Sequence, residues 1–117
     1  MNEFQKQRFA EALERLAGDS ELLCGMATLV ADDARHALQD LADAVAGHQF
    51  PKITATAHQL KGMLSTFETE SPLTELQEVI MTARASDAAL VEDQFDRIRP
   101  ALSGLIEEIA ELCTSSG

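Results

Sequence analysis

The run Phe50-Pro51-Lys52-Ile53-Thr54-Ala55-Thr56-Ala57-His58-Gln59-Leu60-Lys61-Gly62-Met63-Leu64-Ser65-Thr66-Phe67 decides how the rest of the chain is read. Phe50, Ile53, Ala57, Leu60, Leu64 and Phe67 recur at spacings of three and four, the pattern of one buried stripe on an α-helix. Helical geometry then places the polar residues. At about 100° per residue, His58 projects roughly 130° from the centre of that stripe and so points outward. Thr54, Ala55, Lys61, Gly62 and Ser65 share its face, and all but the lysine are small. A glycine inside a helix costs about 1 kcal/mol relative to alanine, so Gly62 needs a compensating reason. Open space beside an imidazole is one; close approach of another helix of the same chain is a second.

Lys61 stands three residues after His58, and its ammonium is within side-chain reach of anything bound to the ring, where it can hold a phosphate as a point charge. The same charge disfavours imidazolium, so the ring is expected to be largely neutral and nucleophilic near neutral pH.

Working outward, further helices follow from the same periodicity. A first helix from Asn2 to about Ala17 shows Phe9, Leu13 and Leu16 on one face, ends at a left-handed Gly18, and is short enough to serve as a lid. Asp19 or Ser20 caps a longer one, with Leu23, Met26, Val30, Ala34, Ala37, Leu41 and Val45 inward as far as Gly47. The link at Gly47 and His48 is so brief that the histidine helix must return antiparallel, with Pro51 in its first turn. Ser71 and Pro72 have the residue types for an N-cap and a first helical position. A helix with Leu73, Leu76, Val79, Ile80 and Ala83 inward follows, to about Arg84. Ser86 and Asp87 cap the last one, with Val91, Phe95, Ile98, Leu102, Leu105, Ile109 and Leu112 inward and Pro100 on the solvent side, where a kink is expected. Four long stripes of this kind predict an all-α fold, an antiparallel up-down four-helix bundle with an extra short N-terminal helix.

Composition bounds the function. The 117 residues are expected to form a single domain, with the bundle core at about 19–113 and a loose tail at 114–117. Lys and Arg total 9 against 20 Asp and Glu, a net charge of −11. That balance argues against nucleic acid and anionic membranes and for protein partners. With no apolar run of about eighteen residues and no leader pattern, the expected location is the cytoplasm. Cys24 and Cys113 have no ligand spacing and are expected to be reduced packing residues. His36 shares a face with Asp32, Gln39, Asp40 and Asp43, which reads as an ordinary solvated surface rather than a metal patch; His48 reads as a turn residue. Met26, Met63 and Met81 share no face and read as filling. No metal site and no cofactor are expected, and no phosphate-binding glycine loop or nucleotide site is recognisable, so the chain is not expected to phosphorylate itself.

Ala57, His58, Leu60, Lys61 and Gly62 resemble the motif of the histidine-containing phosphotransfer (HPt) domains of His-Asp phosphorelays: alanine, the phosphorylated histidine, a variable residue, an apolar residue, then lysine and glycine. The resemblance covers roughly residues 13 to 112, including the Gly18-Asp19 helix start, the hairpin before the histidine and two later helices. It implies that His58 accepts a phosphoryl group through its distal nitrogen, Nε2, and passes it on, with Lys61 countering the charge and Thr54, Ala55, Gly62 and Ser65 leaving room for a partner. The partners implied are a response-regulator receiver domain and a hybrid histidine kinase, with the metal on the receiver, and the domain itself is a carrier rather than an enzyme, expected to be a monomer. Met63 departs from the family's frequent serine, and Glu68 stands where the family usually has a second glycine, with one extra residue before the next helix. Two other classes compete: a helical adaptor binding a partner through its surface with His58 incidental, and a metal-binding bundle enzyme, which lacks the inward carboxylates and Glu-x-x-His pairs such sites need.

Overall fold

The computed structural model describes residues 1–112, so Cys113 and the tail expected at 114–117 lie outside the described residues. Six helices occur among the described residues: α1 (Glu3–Arg8), α2 (Ala10–Arg15), α3 (Ser20–Ala46), α4 (Phe50–Leu64), α5 (Leu73–Arg84) and α6 (Ala88–Glu111). The last four form the bundle. Each packs on its neighbour in sequence, and α6 closes the ring against α3. Cross-helix pairs fix the antiparallel sense, with Arg35 of α3 on Glu107 of α6 and His48 on Glu92 at the opposite end of the same pair. The 27 residues of α3 span about 40 Å at 1.5 Å per residue, close to the longest dimension of the molecule, 45 Å.

The predicted stripes are the core. Ile53, Ala57, Leu60, Leu64 and Phe67 are buried, as are the inward residues named for α5 and α6, while Met26, Val30 and Phe50 are partly buried at its edge. Capping follows the expected chemistry at three places. Asp19 accepts from the Leu22 amide at 3.0 Å and Asp87 from the Leu90 amide at 3.1 Å, each satisfying an orphan donor of a helix start. Gly18 adopts φ +80°, and its amide donates to the Leu13 carbonyl at 2.8 Å, the left-handed stop read from sequence. α6 passes unbroken through Pro100, which faces solvent.

Two local expectations are corrected. The N-terminal helix is not continuous: Phe9, at φ −109° and ψ 30°, leaves helical geometry and divides it into α1 and α2. That break lets Phe9 and Ala12 both reach the core, where the Phe9 ring meets Phe67 edge-on with centroids 6.3 Å apart. The second correction is at Ser71. It does not cap α5, which begins one residue later than expected, after Pro72, with no side-chain cap. The Ser71 hydroxyl donates instead to the carboxylate of Glu75 and holds that group below the ordinary carboxylate range.

The long pair, α3 and α6, outreaches the short pair, α4 and α5, and the N-terminal helices lie at the end this leaves open. Arg15 donates to the Thr66 carbonyl at 3.3 and 3.0 Å, and Gln5 to the Glu111 carbonyl at 3.3 Å. Arg8 bridges Glu68, just after α4, and Glu108 of α6, both at 3.0 Å. Glu68 also accepts from the amides of Thr69 and Glu70 at 3.1 and 3.2 Å. No residue between 65 and 72 takes a positive φ, so this junction turns without requiring the glycine that Glu68 replaces. The carboxylate serves as the fastener in its place.

Candidate functional site

α4 carries its polar residues on one side because the stripe from Ile53 to Leu64 claims the other, and Pro51 is harmless in a first turn whose amides have no intrahelical partner. On the outer side His58, Ala55, Gly62 and Ser65 are exposed, while Thr54 and Lys61 are half-buried towards α5. The His58 ring makes no hydrogen bond or ion pair with any described residue. Its nitrogens are therefore committed to nothing among the described residues.

A Cβ built on Gly62 meets no heavy atom within 4 Å. This removes one of the two reasons considered for a glycine there, since no described helix comes within contact of it. Ser65 spends its hydroxyl on the Gly62 carbonyl at 2.9 Å, tightening the last turn of α4. α4 holds Lys52 and Lys61 and no carboxylate, in a chain of net charge −11. The histidine face is thus the least acidic part of its surroundings.

Lys61 is more constrained than the sequence suggests. Its ammonium donates to Oε1 of Gln77, on α5, at 2.7 Å. Around this pair lies a depression of about 410 Å³, between Lys61 and Ser65 of α4, Leu73, Thr74 and Gln77 of α5, and Glu68 and Thr69 of the junction. A second one, towards the hairpin end, is bounded by Pro51, Thr54 and Ala55 of α4 and Ala83 and Arg84 of α5. Along α4, His58 falls between the two, and along α5 the corresponding stretch presents Met81, 56% exposed. Gln77, Met81 and Arg84 are spaced four and three apart on one stripe of α5, whose ends meet Lys61 and the Thr54–Ala55 depression.

Residues 25–113 match the family model of the Hpt domain. The chain belongs to the Hpt domain family. No curated protein and no solved structure gives a match. Hpt domains are histidine phosphotransfer carriers of two-component phosphorelays, and they interact with response-regulator receiver domains. The match takes in nearly all of α3 and the whole of α4, α5 and α6. It leaves α1, α2 and the Gly18-Asp19 turn outside, a narrower span than the resemblance read from sequence.

The other singled-out residues of this Hpt domain have ordinary places. His36 turns its Nδ1 onto the Asp32 carbonyl at 2.9 Å, and His48, in the α3–α4 turn at φ +52°, meets Glu92 at 2.7 Å. Among the described residues no three His, Cys, Asp or Glu side chains converge as metal ligands. The partly buried Cys24 thiol donates to the Leu112 carbonyl at 3.2 Å. No described helix is long and apolar enough to cross a membrane. Sequence reasoning placed the candidate site on α4 alone and missed the contact of Lys61 with Gln77 of α5. Periodicity tells which side of α5 faces out, but not which of its residues falls opposite His58, because that register depends on the turn geometry of residues 65–72.

Proposed function

We propose that His58 is the phosphoacceptor of this Hpt domain, exchanging a phosphoryl group with receiver-domain aspartates of response regulators or hybrid kinases. The observation that carries this reading is the exposed His58 ring, without a hydrogen-bond or ion-pair partner among the described residues, on the carboxylate-free helix of the family-matched bundle. The Nε2 lone pair forms the N–P bond as the aspartyl O–P bond breaks, and the freed carboxylate stays with the partner. The ring then sheds its Nδ1 proton to water. Lys61 steadies the equatorial oxygens, and phosphoryl transfer asks little more of a protein than alignment and charge. Thr54, Ala55, Gly62 and Ser65 form the contact surface, whose small side chains let a partner bring its aspartate close. The divalent ion such a reaction uses belongs to the receiver, and the reading asks for no nucleotide or cofactor on the chain itself.

Mixing the chain with a phosphorylated receiver tests this. Acid-labile, alkali-stable phosphate should appear on the wild type and be absent from His58→Gln. Equal labelling of His58→Gln would refute the assignment. Stable binding of the receiver with no phosphate on either protein would favour an adaptor.

A further inference from the structure

Resting on the reading of His58 as phosphoacceptor, we infer that Gln77 is a positioning residue that holds the Lys61 ammonium at the boundary of α4 and α5 for use by the phosphoryl group. The contact itself is short, 2.7 Å, between a cation and a neutral amide oxygen on a different helix. A lysine has a flexible four-carbon arm and much rotamer entropy to lose when it is fixed. One hydrogen bond to a side chain borne by a packed helix removes much of that freedom before the phosphoryl arrives, and two of the three N–H donors remain open.

The chemistry of the acceptor matters as much as its place. A carboxylate there would fix the ammonium equally well and cancel its charge. An amide fixes it and leaves the charge whole. Glu68 borders the same depression and is the obvious competitor, but its carboxylate is occupied by Arg8 and by the amides of Thr69 and Glu70. The N-terminal helices, by engaging Glu68, therefore leave Gln77 as the acceptor for Lys61.

Phosphoramidate provides a donor free of any partner surface. Its P–N bond breaks as the ring nitrogen bonds phosphorus, and ammonia leaves, taking up the displaced ring proton as ammonium. The rate of phosphohistidine formation, followed by phosphorus NMR, is measured for wild type, Gln77→Ala, Gln77→Glu, Lys61→Ala and the Lys61→Ala/Gln77→Ala double variant. Gln77→Ala should slow phosphorylation roughly three- to tenfold, the size expected for coupling between contacting residues, and should have no effect once Lys61 is gone. Gln77→Glu should be at least as slow, since it keeps the geometry and pairs off the charge. Circular dichroism of each variant confirms the bundle.

A Gln77→Ala rate equal to or above wild type would overturn the inference. So would the same loss in the Lys61→Ala background, which would mark a merely structural role. A His58→Gln variant phosphorylated as fast as wild type would instead overturn the reading on which the inference rests.

Discussion

Gly62 shows how one residue can be read at two levels. Helix energetics flagged it as a cost, and the structure removes an intramolecular reason for it, since nothing among the described residues lies within 4 Å of where its Cβ would be. Gly62→Ala should therefore stabilise the domain by about 0.5–1 kcal/mol, measured by urea denaturation, through lower backbone entropy in the unfolded chain. On the proposed reading the same variant should slow transfer from a phosphorylated receiver, because the added methyl group intrudes on the proposed contact surface. If both stability and transfer rate rise, Gly62 has no part in docking. His58 and Gly62 were legible in the sequence because orientation on a helix follows from counting. The partner of Lys61 was not, because it lies on another element.

At the scale of the elements, the junction after α4 is where sequence reasoning was weakest. Residues 65–72 carry no periodicity, and a departure such as Glu68 in place of a glycine says nothing about what replaces the lost turn. The structure answers with a charge cluster. Burial alone would push the Glu68 carboxyl up, but the Glu70 amide, the Arg8 guanidinium and the Thr69 amide outweigh it and hold it below the ordinary carboxylate range. A group depressed in the folded state contributes stability above its unfolded pKa, about 4.3, and that contribution is lost as pH falls through the folded value. The melting temperature of wild type should thus exceed that of Glu68→Gln near neutral pH, and the two should converge as pH falls through and below the ordinary carboxylate range. Equal pH dependence in both proteins would show that the cluster contributes nothing. Phe9→Ala, at the neighbouring Phe9–Phe67 contact, should cost about 3–5 kcal/mol in chemical denaturation, since the N-terminal helices are bound by that ring as well as by charges.

For the molecule as a whole, the architecture was the most legible part. Stripes on four helices, a hairpin too short for anything but reversal and aspartates at two helix starts leave few alternatives to an antiparallel ring. The position of the N-terminal helices was hidden, because it follows from the unequal lengths of the two helix pairs and from the break at Phe9, for which the sequence gives no capping signal. The ring also separates stability from chemistry. Leu102, fully buried on α6, lies on an element that does not bear the proposed site, so Leu102→Ala should lower stability by about 2–5 kcal/mol. Its phosphorylation rate by phosphoramidate, per folded molecule, should match wild type; a large drop would mean that the histidine face depends on core packing more than the layout implies.

The way His58 is displayed has a kinetic consequence. One phosphoacceptor imidazole on the outside of a rod 21 by 19 Å in cross-section cannot serve a donor and an acceptor together, since each would have to cover the same ridge. On the proposed reading, traffic through the domain is strictly alternating, the loaded form waits unattended between visits, and throughput is set by how quickly each visitor departs.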